Sequence, residues 1–170
     1  MSENRTKVDS FLAEISAAVG KNIRLNDQGI CAFTYEHLTI VIEVPESVGS
    51  FFLYTSLFNM NQANNLKGLM EKALRLNYLQ QETRGGCISL DPINNEVMFS
   101  YTDRIDEINS TDFRNILENF IDTSLKLHTE IETVANEQSQ DAAPQDGKPA
   151  AAPGNNLPPE LMNQSHHFIP

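Results

Sequence analysis

Cys31 and Cys87, the four histidines and the acids Asp103, Asp106 and Glu107 are the side chains whose types admit catalysis or metal binding. A metal site or an activated nucleophile built on one local element needs such residues at short spacings. His37 and His128 stand far apart in the chain and His166-His167 lie near its end, so neither H-E-x-x-H nor C-x-x-C spacing occurs. Each cysteine sits in an apolar strand-like run, where a thiol reads as free and buried and suits a reducing compartment. Gly85-Gly86 and Gly20-Lys21 lack the G-x-x-x-x-G-K-[ST] pattern of a phosphate cradle; the glycine pair instead supplies backbone freedom for a turn. The three acids precede a predicted helix, where negative charge suits the helix dipole. These residues predict no catalytic centre, metal or cofactor, and so a binding protein rather than an enzyme.

The charge narrows the partners. Acidic residues outnumber basic ones 23 to 12 in 170 residues, a net charge of −11. That field repels nucleic acid and anionic lipid and keeps a protein soluble beside basic or sticky partners. No run approaches the ~20 apolar residues of a membrane span, and Met1–Lys7 is polar, unlike a signal peptide. The reading is cytoplasmic. Pro45 and Pro92 fall in residues 1–135, and the other six of the eight prolines fall between Pro144 and Pro170. The sequence therefore divides into a body, 1–135, and a tail, 136–170, rich in Pro, Ala, Asn and Gln. The tail is predicted to be disordered because it carries too little apolar area to offset ordering. It regains apolar character only at Leu157–Met162 and His167–Ile169.

Hydrophobic periods supply the elements that must position any site. Val8, Phe11, Leu12, Ile15 and Val19 lie on one helical face, closed by Gly20. Three β-prone runs follow, Ile30–Tyr35, Leu38–Val44 and Phe51–Phe58, the first two joined by Glu36-His37. A helix over Gln62–Leu79 carries Leu66, Leu69, Met70, Ala73, Leu74 and Asn77 along one side, and Thr83–Gly86 break it. Cys87–Leu90 and Glu96–Thr102 form a hairpin. A last helix, Ser110–Val134, bears the stripe Phe113, Ile116, Leu117, Phe120, Ile121, Leu127 (or His128) and Ile131. The order α-β-β-β-α-β-β-α predicts an α+β fold with helices on an antiparallel sheet.

Phe51–Phe58 does not alternate apolar with polar. Phe51, Leu53 and Leu57 point one way; Phe52, Tyr54 and Phe58 point the other. Either helices sandwich this strand or apolar surface is left for a second chain. By pattern alone, the stripe of the middle helix is one packed on the chain's own sheet.

Leu69-Met70-Glu71-Lys72-Ala73-Leu74-Arg75-Leu76-Asn77-Tyr78-Leu79 resembles the central helix of the Tir-chaperone-like family, the class I type III secretion chaperones. Thr83-Arg84-Gly85-Gly86-Cys87-Ile88-Ser89-Leu90-Asp91 resembles the turn and strand that follow it there. The resemblance covers about residues 5–133. It implies a cytosolic homodimer with no catalysis, its interface on Leu66, Leu69, Met70, Ala73, Leu74 and Asn77. It also implies that the N-terminal segment of a secretion effector wraps around the dimer in extended form and is delivered to the export apparatus. The secretion ATPase or sorting platform is a further implied partner. An extended peptide that adds to a sheet edge and seats alternate side chains in pockets is a physical basis for such binding. The aromatic residues Phe33, Tyr35, Phe52, Tyr54 and Phe58, with Phe11 and Ile15 from the first helix, are the expected effector-binding residues. The alternative reading is a regulatory module of the same shape that binds a transcriptional regulator or export component. The long tail departs from the family pattern.

Overall fold

Helix α1 (Glu3–Val19) opens on Ser2, whose hydroxyl accepts the Arg5 N–H, and closes on Gly20 in the left-handed conformation at φ 67°. In the computed structural model, which describes residues 2–138, it is followed by β1 (Ile30–Tyr35), β2 (Leu38–Glu43) and β3 (Ser50–Asn59). Then come α2 (Leu66–Leu76), β4 (Cys87–Asp91), β5 (Glu96–Arg104) and α3 (Ser110–Asn136). The α-β-β-β-α-β-β-α order is the one the periods predict. The expected tail from residue 139 onward, with its apolar ends, lies outside the described residues.

All strand pairs are antiparallel, in the order β1-β2-β3-β5-β4. Phe51, Leu53, Thr55 and Leu57 of β3 are buried on the inner face. There α3 crosses β2 and β3, and α1 and α2 pack against α3. Phe113 joins the layers, 5.1 Å from Phe51 and 5.7 Å from Phe11 between ring centroids. Leu117, Phe120, Leu127 and Ile131 continue the buried stripe of α3, while Ile116 and Ile121 flank it half-buried. A capping box starts α3: the Asn109 side chain accepts the Thr111 and Asp112 N–H groups, and Asp112 accepts that of Asn109.

Buried Arg5 fastens α1 to the loops around it. Its Nε donates to the Val44 carbonyl at 2.9 Å, and its Nη atoms donate to the carbonyls of Asp27 at 3.2 Å and Gln28 at 2.5 Å. Gly29 must lack a side chain here, because a Cβ would lie 2.3 Å from Arg5 Nε, and its φ is +82°.

Several details differ from the sequence reading. The middle helix ends at Leu76, short of the expected Leu79, because Leu79 and Gln80 adopt positive φ. Cys31 is buried as expected, but Cys87 is exposed, on the outer face of edge strand β4. Asp106 and Glu107 are held by Arg104 at 2.7 and 3.1 Å, so the charge at the start of α3 is that of Asp112. Phe58 does not share a face with Phe52 and Tyr54. A β-bulge between Ser56 and Phe58 pairs Phe58 with buried Val97 and packs it against the core.

Candidate functional site

The registers sort the expected binding residues onto two faces. Phe33 pairs with Ile40 and Tyr35 with Leu38, both buried inner-face residues, so Phe33 and Tyr35 face the helices. Tyr54 pairs with Val41 and Ser100, and Phe52 with Glu43 and Thr102, on the outer face. The first-strand and third-strand aromatics therefore do not form one surface.

The inner pair belongs to a cleft of about 440 Å³ between α1, β1 and α3. Ile15, Val19 and Ile23 from α1 and its following loop, Phe33 and Tyr35 from β1, and Leu117 and Ile121 from α3 supply its apolar lining. Lys21, Arg114 and Glu118 add charge to it. Phe11 is core instead, 7 % exposed and packed toward Phe113. The cleft runs beside β1, which among the described residues is an edge strand paired with β2 alone. Ile121 and Val19 were visible in the sequence as helix stripe residues, but nothing in their spacing says that they stop short of full burial.

On the outer face, Phe52 and Tyr54 are half-buried. The Tyr54 hydroxyl donates to Glu43 at 3.1 Å. Burial, together with that carboxylate, pushes its pKa up to about 12.

The stripe of α2 also divides. Leu69 and Ala73 are buried in the chain's own core with Leu76, so the expected place of Leu69 and Ala73 at a dimer interface is corrected to a core role. Asn77 too is used within the chain, bonded to the backbone of Ile88. Leu66, half-buried Met70, Leu74 and Tyr78 recur every fourth residue as a separate apolar ridge. Leu74 is 72 % and Tyr78 75 % exposed, and Leu79 extends the ridge from a left-handed backbone at φ 55°.

The fold brings His37 and His128 together despite their separation in sequence, with Nε2 and Nδ1 3.2 Å apart. Glu36 and Glu132 stand 4.0 and 3.9 Å from the two rings. The geometry is that of an imidazole–imidazole hydrogen bond tying the β1–β2 turn to α3. Among the described residues, no three His, Cys, Asp or Glu side chains are grouped to hold a metal ion, and no helix is long and apolar enough to cross a membrane.

The fold is similar to that in the crystal structure of the ExsC–ExsE complex, with a TM-score of 0.66 and 14% identity over 77% of this chain and 97% of that one. It is similar also to the HopA1–SchA chaperone–effector complex (TM-score 0.60, 11% identity, 76% and 98% of the two chains). A third likeness is to the heterodimeric ExoU–SpcU complex from the type III secretion system of Pseudomonas aeruginosa (TM-score 0.56, 13% identity, 75% and 97%). At these identities the likeness is one of fold. No curated protein matches the chain by sequence. The family model of the Tir chaperone protein (CesT) family matches residues 10–128, from α1 through the sheet and α2 into α3. The chain belongs to that family.

Proposed function

We propose that this chain is a non-enzymatic, cytosolic chaperone of type III secretion. It binds the N-terminal segment of one or more effectors in extended form, keeps it competent for export and delivers it to the export apparatus. The observation that carries the reading is the apolar cleft beside edge strand β1. A peptide added to β1 satisfies its backbone through the strand and turns every second side chain toward Phe33, Tyr35 and Ile121. Held so, it cannot collapse on itself or pair with another copy. Family membership and the likeness to solved chaperone–effector complexes support the same reading. The working unit is a homodimer joined through the ridge of Leu66, Leu74, Tyr78 and Leu79, which a lone chain would leave in water.

Pulldown from the source bacterium with mass spectrometry identifies the client. Its first ~50–80 residues, long enough at ~3.3 Å per residue to cross two copies, are then titrated calorimetrically into wild type and variants. Tyr35→Ala and Ile121→Asp weaken binding about tenfold or more, as loss of a buried anchor does. Tyr54→Ala, on the outer face, separates the two surfaces. Undiminished affinity in both cleft variants, with a loss in Tyr54→Ala, moves the client to the outer face and overturns the cleft reading.

A further inference from the structure

A second cavity, of about 300 Å³, lies where the 83–86 turn crosses β5 and the middle of α3. It is lined by Thr83, Arg84, Phe99, Tyr101, Ile116, Asn119, Phe120 and Thr123. Thr83 and Thr123 are 1 % and 4 % exposed, and neither Oγ1 has a hydrogen-bond partner among the described residues. Both residues line the cavity; each Oγ1 is covered by protein, and an acceptor that drew the two hydroxyls into the cavity would relieve two unpaired donors. Rotation about χ1 exchanges a threonine's hydroxyl with its methyl at nearly constant volume, and both rotamers are open to Thr123 in α3.

The rest of the lining states what that occupant is. Arg84 donates from Nη1 to Asn119 Oδ1 at 3.0 Å, from the turn to α3. Its backbone is left-handed at φ 47°, a conformation that L-residues other than glycine rarely adopt. Strain of this kind concentrates at binding and switch sites. Gly86 seats the turn: a Cβ there would come within 2.4 Å of the Phe99 ring. The lining carries one cation and no carboxylate. Nearby Glu82 is taken by Lys126 at 2.6 Å, and Asp103 accepts the Tyr101 hydroxyl at 3.2 Å. Two hydroxyls, the spare guanidinium N–H groups of Arg84 and the Asn119 amide N–H groups are donors that seek an acceptor. The floor is apolar, with Phe99 and Phe120 stacked 4.9 Å apart beside Ile116. The cavity opens to solvent, and its volume of about 300 Å³ has room for a ring with a substituent.

We propose that this cavity binds a carboxylate carried on an apolar stem, the head on Arg84 and the two threonine hydroxyls and the stem on Phe99 and Phe120. The same chemistry can come from a small aryl or alkyl acid or from an acidic side chain beside an apolar one in a bound peptide. The inference does not rest on the β1 cleft.

The test is methyl-labelled NMR of the full chain, with the Thr83 and Thr123 methyls as reporters. The probes are phenylacetate, 2-phenylacetamide, and a short extended peptide containing Phe-Glu together with its Phe-Gln counterpart. Phenylacetate or the Phe-Glu peptide is expected to shift both reporters saturably, at least about tenfold more tightly than its amide counterpart and about tenfold more weakly in Arg84→Gln. Saturation by phenylacetate assigns a free acid; saturation by the peptide alone assigns a side chain. Thr123→Val is expected to weaken binding while leaving Tm unchanged or raised, since it removes an unpaired hydroxyl. That combination separates ligand contact from a structural role. If no acid shifts the two methyls at millimolar concentration, or the amides bind as tightly as the acids, the proposal is overturned.

Discussion

The side-chain amide of Asn77 pairs with both backbone groups of Ile88. Its Nδ2 donates to the Ile88 carbonyl at 2.9 Å, and its Oδ1 accepts the Ile88 N–H at 2.8 Å. The end of α2 thereby stands in for a neighbouring strand along the free side of β4 and blunts an edge that would otherwise recruit another chain. Asn77→Ala leaves two backbone groups unpaired and is expected to cost about 1–3 kcal/mol. Asn77→Asp keeps the acceptor and loses the donor, and falls between. Thermal melts give the order, and faster amide exchange at Ile88 in Asn77→Ala but not in Asn77→Asp, which keeps the acceptor of that N–H, locates the damage.

Arg5 shows the same economy with a charge. Three backbone carbonyls from two loops converge on its guanidinium, and its Glu46 partner is largely exposed and adds little. Lysine offers a point charge rather than a fork, so it cannot reach all three. Arg5→Lys is expected to destabilise the fold by about 2–3 kcal/mol, since hydrogen bonds to a charged group are worth about that much. A denaturant titration with unchanged slope measures it. A loss below about 0.5 kcal/mol shows that the loops hold without it.

Two leucines on α2 separate the core from the proposed interface. Leu74→Asp places a charge in water on the exposed ridge and is expected to yield a folded monomer. Leu69→Asp buries a charge without a partner in the chain's own core and is expected to unfold the protein. Light scattering and circular dichroism read the two outcomes. A wild type that is monomeric across micromolar concentrations refutes the dimer.

His128 lies below its ordinary pKa of 6.5, first because it is partly buried and then because it faces His37, against the opposite pull of Glu132. The folded protein therefore favours neutral imidazole, and the unfolded chain binds the extra proton first. Stability from this site is fully present above pH 6.5 and is lost as pH falls through the depressed value. Tm of the wild type is expected to fall more steeply between about pH 7 and about pH 5 than that of His128→Gln. Parallel slopes would show that carboxylates alone set the acid limit.

Element order was legible because helix and strand periods survive local noise, and Gly20 marks its helix end with a conformation few other residues adopt. The faces were legible only within a strand, and in β3 only as far as the bulge before Phe58. Whether Tyr35 and Tyr54 share a surface depends on the registers Tyr35–Leu38 and Tyr54–Val41, which pairing sets and no single run of residues records. The ridge on α2 was half legible. Its apolar residues were plain, but the division between Leu69, turned in, and Leu74, turned out, follows from where α3 lies. The His37–His128 contact was illegible, since it joins a turn to a helix that only the finished fold brings close.

The extra residue at Leu57 shifts the phase of β3 by one. Had the strand kept its alternation, Phe58 would have followed Phe52 and Tyr54 onto the outer face, three rings on one side of the longest strand in the sheet with only Ser56 between the last two. A row of that kind on an uncovered sheet is a template for stacking one copy face to face on another. The phase shift removes the third ring and hands it to the core. This member of a chaperone family is thereby kept from stacking on copies of itself.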